Sequence, residues 1–258
     1  MSGHPSRDGW YAAGEVDCFP VPPPRERPSR LVLLGAPGAG KGTQARLLCE
    51  SLRACHLSTG ELFRAARDQC ASSPAMRAAI EAMNRGELVP EELVIAMVRE
   101  RANCLRCHGG FVLDGFPRNQ TQAIALDEIL AELHIAIEAV VYLELPQEEL
   151  ELPLEEIVAR LSGRRTCVDC RAVFDLAANP PTRSGVCDYC GERLVQRTDD
   201  QPEAIRVRMK VFEAETLSLV EFYERLGKLV RISASGTPEQ IRDRVLQGLD
   251  RNVSEVAT

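Results

Sequence analysis

At 258 residues the chain has room for one large α/β domain with insertions, or for two small domains. Its 45% hydrophobic content is that of a globular protein, and no apolar run approaches the ~18 residues that cross a bilayer, so no membrane association is expected. A formal charge of −7 argues against general nucleic-acid affinity, which wants a net basic chain or a basic face.

The first 28 residues hold six of the 16 prolines, with Pro22-Pro23-Pro24 together. That composition predicts a disordered, Pro-rich leader over residues 1–29. The leader lacks the apolar stretch of a signal peptide, and Asp8, Glu15, Asp17 and Glu26 are out of place in a mitochondrial transit segment. A cytoplasmic chain is therefore the expectation. In that setting the ten cysteines read as reduced thiols, with Cys49, Cys55 and Cys70 as small apolar residues of buried elements.

The apolar run Leu31–Leu34 leads directly into Gly35-Ala36-Pro37-Gly38-Ala39-Gly40-Lys41-Gly42-Thr43-Gln44. A buried strand, a glycine-rich turn, a lysine and then a helix form a phosphate grip. Backbone N–H groups point inward, the helix offers its positive end, and Lys41 reaches the outer phosphates. Further strands are predicted at Ala54–Leu57, Gly110–Leu113, Ala139–Leu143 and Lys228–Ile232. Helices are predicted at Thr43–Leu52, Glu91–Arg101, Gln120–Leu133 and Ala204–Leu226. This alternation predicts an α/β fold with a five-stranded parallel sheet flanked by helices, and ligands at the carboxyl ends of the strands.

Two stretches interrupt that rhythm. The first is a helical run from Ser58 to about Val89, opened by Ser58 and Glu61 at capping-box spacing. The second is a cysteine segment from Gly163 to Asp200, where Cys167-x-x-Cys170 and Cys187-x-x-Cys190 are separated by sixteen residues. Two such knuckles close a tetrahedron of thiolates, which predicts a structural zinc rather than a catalytic one. A third pair, in Cys104-Leu105-Arg106-Cys107-His108, has the spacing of a haem-attachment sequence. Its position at a helix end before Gly109-Gly110 reads better as a surface turn with incidental thiols.

Taken in order, the phosphate loop, Ser58-Thr59-Gly60-Glu61-Leu62-Phe63-Arg64, Asp114-Gly115-Phe116-Pro117-Arg118 with Gln122, the arginines Arg160, Arg164 and Arg165, and Arg197-Thr198-Asp199-Asp200 with Arg208 resemble adenylate kinase. The likeness is to its bacterial long form with a zinc-bearing lid, and it runs from about Arg30 to about Leu249. It implies a kinase domain over 30–249, a monophosphate-binding insert at 58–89, a lid at 163–200 and a flexible tail at 250–258.

The resemblance also implies magnesium-dependent phosphoryl transfer from ATP to AMP by a monomer. Gly38, Ala39, Gly40, Lys41, Gly42 and Thr43 would surround the donor phosphates, and Arg160 would stack on the donor base. Thr59, Arg64, Val89, Gly115, Arg118 and Gln122 would take AMP. Arg164, Arg197 and Arg208 would close over the transferred group, and Asp114 would orient magnesium through water.

Asp199 and Asp200 would hold Arg164 and its neighbours or help close the lid; capping the helix that begins near Gln201-Pro202 is a further role, and neither excludes the other. Glu87 stands where bacterial relatives often carry lysine, and the acidic stretch Pro146–Glu156 is several residues longer than is usual there. AMP is favoured because the amide of Gln122 can donate and accept toward adenine at once. A kinase for CMP or UMP, or a non-catalytic nucleotide sensor using the zinc insert, are the alternatives.

Overall fold

The computed structural model describes Trp10 and residues 28–68, 73–84, 89–146, 152, 154–170, 172–177 and 179–256. Cys70, Glu87, most of the stretch 146–156 and, of residues 1–27, all but Trp10 lie outside the described residues, while Ser29, expected in the leader, opens β1.

Five parallel strands form the main sheet: β1 (Ser29–Gly35), β2 (Cys55–Ser58), β3 (Gly110–Asp114), β4 (Ala139–Glu144) and β8 (Leu229–Ser233), in the order β2-β3-β1-β4-β8. Each expected strand is present within two residues of its predicted ends. Their apolar runs read as continuous in sequence because both faces are covered. Along β1, Val32 and Leu34 enter one core cluster while Leu31 and Leu33 enter the other. On β4, Val140 and Tyr142 face one way and Val141 and Leu143 the other. A fully buried Leu or Val side chain stabilises by about 1.5–3 kcal/mol, so this double-faced strand is the best-anchored part of the chain.

Helix α1 (Lys41–Leu52) and the C-terminal helix α10 (Pro238–Val256) cover the second face through Ala45, Leu48, Ile241, Val245 and Leu249. Helix α10 continues to residue 256, so a tail starting at 250 is corrected: the chain there is helical. The first face is covered by α2 (Thr59–Asp68), α3 (Pro74–Asn84), α4 (Glu91–Arg99), the single turn α5 (Ala102–Leu105) and α6 (Gln120–Glu132). Ser58 Oγ accepts from the Glu61 N–H at 3.3 Å, the capping contact that its spacing predicted. Cys104 and Cys107 are not on a surface turn. Both are buried in this core, and Cys107 Sγ lies 2.8 Å from Cys55 Sγ.

Helix α7 (Leu154–Ser162) leads into a three-stranded antiparallel sheet of β5 (Arg164–Cys167), β6 (Val173–Asp175) and β7 (Leu194–Val195), ordered β6-β5-β7. A 3₁₀ turn (Thr198–Asp200) returns the chain to α8 (Pro202–Val211) and α9 (Leu217–Arg225). The sequence predicted one helix over 204–226. The structure splits it with a π-helical turn at Phe212–Thr216, invisible to a reading based on apolar spacing alone.

Candidate active site

The carboxyl ends of β1 and β3 carry the two central charged groups. After β1 the loop turns through Gly40, whose φ of 82° at the start of α1 strains any residue with a Cβ. Lys41 folds back, its Nζ donating to the carbonyls of Gly35 at 2.6 Å and Ala36 at 2.9 Å. Asp114 ends β3. Its Oδ2 would lie 3.7 Å from a Cβ at Gly42, and it sits 3.6 Å from the buried His56 Nε2. Burial raises the carboxyl's pKa, but His56, Lys41 and Arg64 outweigh it and keep Asp114 below its ordinary range. His56 was not singled out from sequence, since one histidine inside an apolar strand carries no signal of what it faces.

The guanidinium groups converge on the same point. Arg118 follows β3, with its Nε donating to the Gly115 carbonyl at 2.9 Å. Arg64 on α2 reaches Asp199 Oδ2 at 3.8 Å, and Arg208 on α8 reaches the same oxygen at 3.4 Å. Arg164 makes a two-pronged contact with the fully buried Asp200, Nε to Oδ2 at 2.8 Å and Nη2 to Oδ1. Arg197 Nε donates to Thr166 Oγ1 at 2.8 Å. Asp200 therefore holds Arg164, whereas the start of α8 has no side-chain cap.

Gathering cations in a partly dry cleft has a cost visible in their proton affinities. Burial, with Arg208, Arg118 and Arg164 nearby, lowers Lys41 from 10.5 to about 8 despite Asp114. Arg197 falls to about 10 through burial and the closeness of Arg164 and Arg64. Burial also lowers Arg118 and Arg208. Arg164 goes the other way: its pairing with Asp200 outweighs burial and raises it, so the unmatched charge falls on the other cations.

The residues expected from the sequence to take AMP stand close by. Thr59 is buried, and its Oγ1 has no hydrogen-bond partner, an unspent polar atom facing Gly115. A Cβ on Gly115, at φ 87°, would come within 2.8 Å of that oxygen, so only glycine leaves the wall open. Asn119 caps α6 by accepting from the Gln122 N–H at 3.0 Å. Gln122 in turn accepts the Arg118 N–H at 2.9 Å, which leaves its amide nitrogen and one oxygen lone pair for a ligand. Val89 packs against the core cluster beneath this wall. Arg160 stands apart from the arginine cluster: with Pro37, Gly38, Ile157 and Leu161 it lines a cavity beside the phosphate loop.

The four lid cysteines meet. Their sulfur atoms all lie within 4.8 Å of one another, with Cys167 to Cys190 at 3.3 Å and Cys170 to Cys187 at 3.5 Å. Zinc–thiolate bonds of about 2.3 Å in a tetrahedron require edges of about 3.8 Å, so the donor set fits that metal. Burial opposes charge on Cys187, yet hydrogen bonds from the Tyr189 and Cys190 backbone and the neighbouring thiols bring it down to about 7. Cys170 moves the other way, pushed up to about 12 by burial and by the neighbouring thiols, so in the absence of a metal the four sulfurs share charge unevenly.

A family model described as Adenylate kinase matches residues 33–228. The chain belongs to the adenylate kinase family. It is 43% identical over 222 residues to the adenylate kinase of Carboxydothermus hydrogenoformans, covering 86% of this chain and all of that one. It is 42% identical over 224 residues to that of Streptomyces coelicolor, covering 86% and 99%. It is 45% identical over 211 residues to that of a Geobacillus species, covering 82% and 94%. The chain is thus an enzyme, a nucleoside monophosphate kinase. Among the described residues no helix is long and apolar enough to cross a membrane.

Proposed function

We propose that the enzyme moves the terminal phosphoryl group of ATP onto AMP, reversibly giving two ADP, with the work divided among three groups of residues. Gly38 to Thr43 hold the donor's phosphates, with Lys41 turning from its carbonyl contacts to the outer oxygens and Arg160 against the donor base. Thr59, Arg64 and Val89, from an insert spanning 58–89, form the acceptor side together with Gly115, Arg118 and Gln122. Arg164 and Arg197, from the lid at residues 163–200, and Arg208 on α8 close over the transferred group.

The observation that carries this reading is the convergence of Lys41, Arg64, Arg118, Arg164, Arg197 and Arg208 on one cleft, faced by the acids Asp114, Asp199 and Asp200, with Glu215 also acting on Arg118. Phosphoryl transfer needs positioning and charge stabilisation rather than a nucleophilic side chain, and these groups supply both. Asp114, held ionised beside Gly42 and Lys41, is the oxygen donor suited to a hard cation. Magnesium bound with ATP offsets phosphate charge, and Asp114 would hold its water. Zinc in the lid would be structural, since four thiolates leave no open position. A cytoplasmic monomer completes the proposal.

A coupled assay of ADP formation from ATP with AMP, CMP, UMP and GMP in parallel tests the acceptor, and AMP is expected to be used best. Arg118→Ala is expected to lose most turnover and to raise the KM for AMP more than that for ATP. Near-normal AMP kinetics in that variant would remove Arg118 from the acceptor side.

A further inference from the structure

Trp10 lies in the leader, before the family match begins at residue 33. It is nonetheless 1% exposed, and its ring sits in the core cluster with Leu57, Leu62, Met76, Met97 and Leu105. Two polar contacts fix it. Its indole Nε1–H donates to the Ser58 carbonyl at 3.0 Å, and its own carbonyl accepts from Arg101 Nε at 2.6 Å.

Arg101 has a fully buried side chain. Its Nη1 is satisfied by the Met97 carbonyl at 2.7 Å and by Glu100 at 3.3 Å, while Nη2 has no partner. A buried guanidinium with so few acceptors leans on each one. Without the Trp10 carbonyl it would lose its shortest contact, and the core would gain a hole the size of an indole.

Ser58 is the pivot of the acceptor side. It ends β2, its hydroxyl caps α2, and it precedes Thr59, whose buried hydroxyl is unspent. Arg64 lies less than two turns further along the same helix. A grip on the Ser58 carbonyl thus sets the direction in which the acceptor-side residues leave the sheet. We propose that Trp10 is a positioning residue for the monophosphate: its indole, seated in the core, fixes the Ser58–Thr59 hinge and so aims Thr59 and Arg64.

This rests on the reading of Thr59 and Arg64 as acceptor residues. At Trp10 it departs from the expectation of a disordered leader. An indole 48 residues before Ser58 and 91 before Arg101 gives no local sequence signal of either partner.

Trp10→Phe keeps an aromatic ring in the core and deletes the N–H donor, while Trp10→Ala removes both. Both variants are compared with the wild-type chain for Tm, kcat and the KM of each nucleotide. The expected result is a KM for AMP raised about three- to tenfold in Trp10→Phe, the factor one net hydrogen bond is worth. The KM for ATP and the Tm should change little in that variant, and Trp10→Ala should add a loss of Tm.

Trp10 is the single tryptophan of the chain, so its emission reports on the seated indole directly. AMP alone should change it, and magnesium-ATP alone should change it less. An unaltered KM for AMP in Trp10→Phe, or equal shifts for both nucleotides in step with Tm, would reduce Trp10 to a stability anchor and overturn the proposal. If Trp10→Ala does not fold, Trp10→Phe decides alone. A wild-type chain that forms no ADP defeats the kinase reading instead, and AMP-dependent emission then still judges the role of Trp10.

Discussion

Lys41 stands at the centre of the cation cluster with a pKa near 8, lowered chiefly by burial and by Arg208, Arg118 and Arg164. The unfolded chain holds the same proton to about 10.5. The free enzyme therefore gains stability from this group as pH rises between those values, because the folded state sheds a charge it shelters poorly. Nucleotide phosphates reverse the sign. They restore an opposite charge beside Lys41 and lift its pKa, so binding in this window must take up a proton. Titration calorimetry of magnesium-ATP near pH ~9, in two buffers of different ionisation enthalpy, is expected to show fractional proton uptake. Uptake should be missing in Lys41→Met and small near pH ~6.5; equal uptake in variant and wild type would assign the proton elsewhere.

Among the elements, the lid has the weakest means of support. Its core consists of Cys167, Phe174, Cys187 and Leu194 with Ala172 packed against them, too little to order a module of this size alone. Closing the four thiolates on a metal can contribute on the order of 10 kcal/mol to such a unit. Arg164 opens β5, and Arg197 hangs on Thr166 of the same strand, so the aim of both guanidinium groups depends on that closure. The purified protein is expected to carry one zinc per chain. Mercurial release with chelation should lower turnover sharply and loosen the lid, while far-UV circular dichroism keeps the signal of the main sheet. Full activity after verified metal loss would contradict a structural role. The lid was legible in the sequence because knuckle spacing is a local property. The pairing of Asp200 with Arg164 was open until β5 and the following turn were seen to bring them together.

Across the molecule, what the sequence showed well was whatever a short window encodes: apolar runs of the five strands, the glycine loop, the arginine motifs in order. What it hid depends on distance or on phase. Trp10 finds its partners through the tertiary core, and Cys107 meets Cys55 by the neighbouring of β2 and β3. The wide turn at Phe212–Thr216 was hidden by phase, and it joins the two halves of the enzyme. Before it, Ile205 and Met209 pack on α7 at the root of the lid; after it, Leu219 and Tyr223 pack on the sheet. An i→i+5 turn holds about one residue more than an α-helical turn, and each helical residue rotates the chain by about 100°. The two apolar stripes are therefore out of step, and the extra residue acts as a spacer that cancels the mismatch. Deleting Ala214, which is exposed within that turn, should restore an unbroken helix and turn Arg208 away from Asp199 while both stripes compete for their seats. The expected variant keeps the sheet and loses most turnover, and an active deletion variant would mark the spacer as dispensable. A single residue count thus acts as the timing of the machine, setting where Arg208 arrives beside the lid when the helix that carries it is held by the core.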